Sequence, residues 1–358
     1  MSARVFWDVC GSNTESRVER YFPLRNGDPA PVLLLNPALG SGVPPLDLLK
    51  LSTFLRKRGY TPVLRSTCFD ITQAEPFMVV LTSVFSWDVP CLRRLISLVH
   101  VSWPRARTLL TGVLPRRLGD RAQSQFGVLV LDESSEVLLD GEPPDYSLVP
   151  EWDASIVITS KGVCPRECSH CETAARGKGV TKLVSNWPSQ LNPVLPRVEL
   201  WDNTVMLTPR EHFSSVARQL GATEKPVDFV CGLAPGGVEE AELRWRISQL
   251  ADVRVLPARL ECNLTEDLPR FRRLLAHTRS AFGDSSRYRA FAVINGWENP
   301  LEARDRVRQM EATGVDVDVV CYTPHDWEES QPYINTDMGW TQADVESFKC
   351  RSPLSCSH

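Results

Sequence analysis

Residues 31–59 decide the fold of this chain. Residues 31–37 are Pro-Val-Leu-Leu-Leu-Asn-Pro, and residues 44–59 are Pro-Pro-Leu-Asp-Leu-Leu-Lys-Leu-Ser-Thr-Phe-Leu-Arg-Lys-Arg-Gly. A short run that is apolar throughout is typical of a buried parallel strand. Prolines at the start, apolar residues at helical spacing, a basic last turn and a final glycine indicate a helix. The stretch therefore predicts a strand followed by a helix.

The same alternation continues on both sides of a proline-rich segment, Glu142-Pro-Pro-Asp-Tyr146. Before the segment, the pattern predicts further strands at 61–64, 77–83, 107–111 and 125–131, and a helix at 89–101. After it, strands are predicted at 154–159, 197–201, 227–231, 253–258, 290–294 and 315–321, with helices at 209–220 and 299–313. Consecutive prolines interrupt regular pairing, so the segment is predicted to be a linker.

The predicted fold is α/β, with two domains and a tail, because strands and helices alternate at the spacing of parallel sheets. Residues 1–143 are expected to form a doubly wound parallel sheet of the flavodoxin or Rossmann type. Residues 144–327 contain six βα units, which suggests a partial (β/α)6 barrel because the closed form needs eight. Residues 328–358 are expected to form a short polar tail.

The composition narrows the function classes. The chain has 358 residues, of which 42% are apolar, and this is enough for two cores. A net charge of -4 gives no field that would attract a polyanion, so no nucleic-acid partner is expected. Neither a long apolar run nor a secretion signal is recognisable, so we expect a cytoplasmic protein without a membrane partner. The excess of arginine over lysine suggests a GC-rich bacterial source.

Three closely spaced cysteines are the main candidates for metal ligands. The chain has eleven cysteines, and thiols in the cytosol serve packing, metal ligation or catalysis. Cys164, Cys168 and Cys171 follow the predicted strand at 154–159 with the spacing C-x3-C-x2-C. Three such thiolates can ligate three irons of a [4Fe–4S] cluster and leave the fourth open. Zinc or purely structural cysteines are the alternatives, although His170, between two of the cysteines, is poorly placed as a fourth zinc ligand.

Residues 160–171, Ser-Lys-Gly-Val-Cys-Pro-Arg-Glu-Cys-Ser-His-Cys, resemble the signature of the radical S-adenosylmethionine superfamily. Residues 144–150 and 199–203, Pro-Asp-Tyr-Ser-Leu-Val-Pro and Glu-Leu-Trp-Asp-Asn, are similar to stretches that flank the cluster in one branch of it. Members of that branch carry an N-terminal cobalamin-binding-type domain, in which the helix from Pro44 to Gly59 also recurs. The resemblance covers residues 30 to 325.

The resemblance implies the cofactors and the residues that bind them. Cys164, Cys168 and Cys171 would ligate the cluster, and S-adenosylmethionine would chelate the open iron through its amino and carboxylate groups. One electron would then break the sulfonium and give a 5′-deoxyadenosyl radical. Further cofactor contacts are expected at strand ends, at Asp202, Asn203, Gly232, Glu261 and Asn263. For the acidic and amide side chains in this set, an ordinary strand-end cap is the alternative.

Cobalamin is the third cofactor that the resemblance implies. The family's Asp-x-His-x-x-Gly signature, in which the histidine replaces the lower base of the corrinoid, is absent, since no histidine precedes His100. Phe85, Trp87 and Gly112 are expected to line the corrinoid site after two predicted strands. Val113 stands where the family tends to have a second glycine, which would narrow the slot for the nucleotide tail. A docking domain without a corrinoid is the alternative.

Residues near the C-terminus are the remaining candidates. Cys321, Cys350 and Cys356 are candidates to give a hydrogen atom to a substrate radical, to accept a methyl group or to ligate a second cluster. His325 is a candidate acid or base, and Tyr322, Asp326 and Trp327 are candidates to line a pocket. Unreactive thiols and a hydrogen-bonding histidine are the alternatives.

These features favour a radical enzyme. Cobalamin-dependent C-methylation of a specialised metabolite or a peptide is the first expectation. Radical rearrangement, epimerisation or cyclisation by hydrogen abstraction is the alternative, and a non-catalytic degenerate paralogue is the third hypothesis. The expected partners are a small-molecule or peptide substrate and an electron donor of the flavodoxin or ferredoxin type.

Overall fold

The computed structural model describes residues 21–37, 43–66, 75–83, 88–131, 139–161, 181–202, 205–233, 238–283, 287–324, 327 and 331–349. Contacts between these residues define two compact units. The amino-terminal unit extends to Trp152, and the carboxy-terminal unit begins at Asp153.

The amino-terminal unit is built on a five-stranded parallel sheet. Its strands are β1 Ala30–Leu35, β2 Tyr60–Arg65, β3 Met78–Thr82, β4 Arg107–Thr111 and β5 Leu129–Val130. Their order in the sheet is β2-β1-β3-β4-β5, and every pair is parallel. This is the strand order of flavodoxin-like doubly wound sheets. The prediction of an α/β fold with a parallel sheet is therefore confirmed in this unit.

Helices cover this sheet. They are α1 Leu46–Lys57, α2 Val89–Ser102, α3 Val113–Leu118 and α4 Asp120–Phe126. All five residues of β3 are buried, which requires cover on both faces of the sheet. The strand predicted at 125–131 is wrong at its start, because residues 125 and 126 end α4. Gly127, with a φ of 67°, ends that helix, and the strand follows.

The predicted linker is held against α1. Asp145 accepts hydrogen bonds from Ser52 Oγ at 2.6 Å and Arg56 Nε at 2.8 Å. Its backbone N–H donates to the carbonyl of Leu49 at 3.1 Å. The segment is therefore an ordered part of the amino-terminal unit.

The carboxy-terminal unit contains two three-stranded parallel sheets. One has the order β10-β9-β6 and the other the order β11-β12-β13. Their strands are β6 Ala154–Val157, β9 Arg197–Leu200, β10 Val227–Phe229, β11 Ala258–Glu261, β12 Tyr288–Ile294 and β13 Asp316–Cys321. A short antiparallel pair, β7 Ser160–Lys161 and β8 Lys182–Leu183, follows β6. The strands in the described ranges do not close into a barrel.

Helices pack on one face of these strands. They are α5 Arg210–Gly221, α6 Glu240–Gln249, α7 Leu268–Phe282, α8 Pro300–Glu311 and α9 Gln342–Lys349. Val198 and Leu200 of β9 belong to the apolar core shared with these helices, whereas Glu199 between them points to the opposite face. None of the described helices is both long enough and apolar enough to cross a membrane.

Two elements of this unit differ from the prediction. The strand expected at 253–258 is found at 258–261, because Pro257 has no N–H to donate and the ladder begins after it. The polar tail contains α9, which packs into the core. Trp340 and Phe348 are each 2% exposed, and Trp340 Nε1 donates to the carbonyl of Glu298 at 2.8 Å.

Gly112 is required by packing in the amino-terminal unit. Its φ is 103°, and a Cβ there would lie 2.3 Å from the carbonyl oxygen of Ser83 and 2.9 Å from Thr82 Oγ1. The space beside this glycine is thus filled by the end of β3. Because the nearest atom belongs to the backbone, a side-chain rotation cannot relieve the clash.

We therefore expect Gly112→Ala to lower the free energy of unfolding by about 3 kcal/mol or more, as a strained backbone and an overpacked contact combine. Urea unfolding followed by circular dichroism measures this loss. The matched control is Gly127→Ala, which also has a positive φ but no atom within 4 Å of the new Cβ, and should cost about 1 kcal/mol. Equal losses in the two variants would contradict the packing argument.

Candidate functional site

The candidate site is the edge of the carboxy-terminal unit where its parallel strands end. Asp202 follows β9, Gly232 follows β10, and Glu261 is the last residue of β11. The carboxyl ends of neighbouring parallel strands share one edge, which is where ligands bind in α/β folds. The described residues that the resemblance implies as cofactor contacts in this unit therefore belong to one edge.

Asp202 is saturated with hydrogen bonds inside the protein. Its side chain is buried, and Oδ2 accepts from the backbone N–H of Thr159 at 2.7 Å and from Thr159 Oγ1 at 2.9 Å. Oδ1 accepts from the backbone N–H of Ser160 and from Ser160 Oγ at 2.7 Å. A carboxylate offers about four lone-pair sites, so this one is fully occupied. Burial raises the pKa of Asp202, and the four donors oppose that rise.

These bonds fix the point where the chain leaves β6. Ser160 begins β7, and β7 pairs antiparallel with β8 in the register Ser160 to Leu183 and Lys161 to Lys182. The two ends of the intervening segment therefore meet beside Asp202. The cysteine triplet belongs to this segment and lies outside the described residues.

His212 was not predicted as part of the site. It lies in the first turn of α5, and burial lowers its pKa, while the charge of Asp202 and the carbonyl of Thr159 oppose that shift. Its Nε2 is buried and has no hydrogen-bond partner within the described ranges. A histidine in an amphipathic helix carries no local signal of such surroundings, and no role was predicted for Thr159 and Ser160, which precede the triplet.

Three predicted cofactor contacts come together at the ends of β10 and β11. Gly232 has a φ of 85°, and a Cβ there would lie 3.8 Å from Cγ of Glu261. Asn263 Nδ2 donates to Glu261 Oε2 at 3.2 Å. The glycine, the carboxylate and the amide thus form one compact group. Their contact with S-adenosylmethionine stays a prediction.

An aromatic cluster lies after β12 and β13. Ring centroids are 4.7 Å apart for Trp297 and Tyr322, 6.0 Å for Tyr322 and Tyr333, and 5.2 Å for Tyr333 and Trp327. The buried Asn295, with a φ of 60°, holds the segments together by donating to the carbonyls of Tyr322 and Tyr333 at 3.1 and 2.8 Å. Tyr322 and Trp327, both predicted to line a pocket, are therefore in one cluster.

The cysteines in the described ranges differ in their surroundings. Burial raises the pKa of Cys262 to about 12, so this thiol is an inert part of the core. Cys231 is exposed. Cys321 packs against the helix-facing core with Val317 and Val319, which alternate with it along β13. Its side chain thus points to the face opposite that of Asp318.

Several predicted residues lie outside the described ranges. They are Phe85, Trp87, Cys164, Cys168, Cys171, Asn203, His325, Asp326, Cys350 and Cys356. Their roles stay predictions. Within the part of the chain that the structure describes, no three histidine, cysteine or acidic side chains are grouped to hold a metal ion.

Comparison with known proteins assigns no family to the chain. No family model matches the sequence, and no curated protein matches it. The function is therefore inferred from the residues themselves.

We expect Asp202→Asn to lower the free energy of unfolding by about 2–4 kcal/mol, because the new amide group must face two N–H or O–H donors in a buried site. Urea unfolding of the two proteins measures this loss. The control is Asp153→Asn, because Asp153 is 60% exposed in its ion pair with Arg197. This substitution should lower the free energy of unfolding by less than about 1 kcal/mol. An Asp202→Asn protein as stable as that control would show that the four hydrogen bonds contribute no net stability.

Proposed function

We propose that this chain is a radical S-adenosylmethionine enzyme, with Cys164, Cys168 and Cys171 as the ligands of a [4Fe–4S] cluster. The observation that carries the proposal is where the two ends of the segment that contains the triplet lie. These ends meet, through β7 and β8, at the carboxyl edge of a parallel sheet. This edge is the usual ligand-binding edge of α/β folds.

The strand order supports a partial barrel. Strands β6, β9 and β10 are neighbours in chain order, and so are β11, β12 and β13. Val227 in β10 exchanges backbone hydrogen bonds with Arg254 and Leu256, which precede β11. An open row of six parallel strands in chain order is what a (β/α)6 architecture requires.

The donor set fits an iron–sulfur cluster. Soft thiolates select such clusters over hard cations, and three ligands leave one iron open. When bound, the cluster would supply the electron that cleaves the sulfonium of S-adenosylmethionine. The protein contributes the thiolates, the fixed ends of their segment and the polar groups at the strand ends.

The described residues favour separate roles for Asp202 and Glu261. Asp202 already accepts four hydrogen bonds, so its carboxylate positions the cysteine segment. Glu261 is half-buried at the strand edge, where its carboxylate would accept a hydrogen bond from a hydroxyl or an ammonium group of the cofactor. Gly232 beside it would allow the cofactor to approach the backbone closely.

The proposal includes no step through cobalamin. The described residues give Gly112 a packing role, since a Cβ there would meet Ser83 and Thr82. Hydrogen abstraction followed by rearrangement, epimerisation or cyclisation needs only the residues of the carboxy-terminal unit. The domain boundaries, the small-molecule or peptide substrate, the flavodoxin- or ferredoxin-type donor and the cytoplasmic location stay predictions from the sequence.

Anaerobic reconstitution of the full chain with iron, sulfide and hydroxocobalamin tests the proposal. We expect about four irons and four sulfides per chain, and 5′-deoxyadenosine when dithionite and S-adenosylmethionine are added. The triple variant Cys164→Ala, Cys168→Ala, Cys171→Ala should lose the iron and the 5′-deoxyadenosine together, because the cluster would lose its three thiolate ligands.

Cys91→Ala is the control, since this cysteine is exposed on α2 and should leave the iron content unchanged. Full iron content in the triple variant would sink the proposal, and so would stoichiometric zinc in place of iron in the unaltered chain. Cobalamin retained near one per chain would restore the methylation hypothesis.

A further inference from the structure

A seam separates the two sheets of the carboxy-terminal unit. Strands β10 and β11 belong to different sheets and are joined in the described ranges by backbone bonds at two places. At the first place, Val227, which begins β10, forms backbone hydrogen bonds with Arg254 and Leu256. At the second place, after β10 has ended, the N–H of Leu233 donates to the carbonyl of Arg259 at 2.8 Å. Gly232 lies on one side of this seam, and Glu261 lies on the other.

One buried ion pair spans the seam between these places. Arg259 Nε lies 2.6 Å from Asp228 Oδ1, and Arg259 Nη2 lies 2.6 Å from Asp228 Oδ2. Their side chains are only 12% and 7% exposed. Two parallel charge-assisted bonds between a planar guanidinium and a carboxylate fix both distance and orientation. The pair therefore sets how far β10 stands from β11.

Further charges on the same face hold Arg259 in place. Its Nη1 lies 3.8 Å from Asp318 Oδ2 on β13, and Asp318 Oδ1 in turn pairs with Arg289 Nη2 at 2.5 Å. The guanidinium also lies over the ring of Phe291 on β12, 5.5 Å from its centroid. Burial alone would lower the pKa of Arg259, but Asp228 and Asp318 leave it raised. The arginine is thus a fixed cation that connects both sheets.

We propose that the Asp228–Arg259 pair positions the two sides of the S-adenosylmethionine site, with Gly232 on one side and Glu261 on the other. Arg259 acts through its own strand, in which Glu261 is two residues further on, and through its carbonyl, which holds Leu233 next to Gly232. The proposal rests on the proposed function of the chain. It assigns Arg259 and Asp228 as positioning residues that touch neither cofactor nor substrate.

A purely structural role makes a different prediction. Replacing a buried ion pair with apolar residues of similar volume often leaves stability unchanged, whereas it removes the fixed geometry of the fork. The double variant Asp228→Leu, Arg259→Met therefore separates positioning from stability. The control is Asp153→Leu, Arg197→Met, an ion pair at the amino ends of β6 and β9, because these strands share a continuous ladder of four residue pairs that fixes their register without the ion pair.

The experiment compares the reconstituted full chain with both double variants. Equilibrium dialysis gives the Kd for S-adenosylmethionine, iron analysis gives cluster content, and hydrogen exchange gives the protection of the Leu233 amide. In the Asp228→Leu, Arg259→Met protein we expect about tenfold weaker binding, unchanged iron and faster exchange at Leu233. In the control we expect changes of less than about twofold.

An unchanged Kd or an unchanged Leu233 exchange in the seam variant would overturn the inference. If this variant does not fold, Arg259→Lys replaces it, because lysine keeps the charge but loses the second bond; unchanged Leu233 exchange there would overturn the inference equally. An unaltered chain that holds its cluster but binds no S-adenosylmethionine would instead refute the proposed function. Exchange at Leu233 still reports on the seam in that case.

Discussion

The carboxylate of Asp202, with its four donors from Thr159 and Ser160, is the constraint on which the candidate site depends. A buried carboxylate is costly unless it is fully hydrogen-bonded, so the backbone of both donors must stay where the bonds can form. Those donors stand between β6 and the cysteine segment. The last residues before that segment are therefore held by a carboxylate that follows β9, more than 40 residues further along the chain.

The strands of the carboxy-terminal unit divide their residues between two environments. Val198 and Leu200 pack against helices, whereas Glu199, Asp228 and Arg259 occupy the opposite face with their charges paired. Charged groups are rarely buried unless such pairs form. The charges of Glu199, Asp228 and Arg259 are thus engaged in ion pairs within the protein, and Glu261 lies beyond them at the strand ends.

Local sequence patterns correctly predicted helices and strands whose bounds depend on neighbouring residues. The helix expected at 299–313 forms at 300–311 because Asn299 caps it, and β4 occupies the expected residues. Local patterns gave the wrong bounds where a single residue or a distant contact determines the structure. Gly127 ends α4 within the range predicted as a strand, and β11 begins only after Pro257. The tail is ordered by the distant contact between Trp340 and Glu298. The grouping of Gly232 with Glu261 followed from parallel strands. The hydrogen-bond partners of Asp202 could not be predicted in this way, because no local pattern shows which donors a carboxylate contacts after folding.

The segment that precedes α9 has a consequence for the order in which the protein folds. Trp340 supplies the hydrogen-bond donor for the carbonyl of Glu298, and Asn335 supplies the donor for Asn295, both in the loop after β12. Domains begin to fold while the ribosome is still adding residues. This loop cannot complete its contacts until the chain has been synthesised to Trp340 and beyond. A ribosome-bound nascent chain therefore carries an unfinished edge to its site until the segment around Trp340 has left the ribosome.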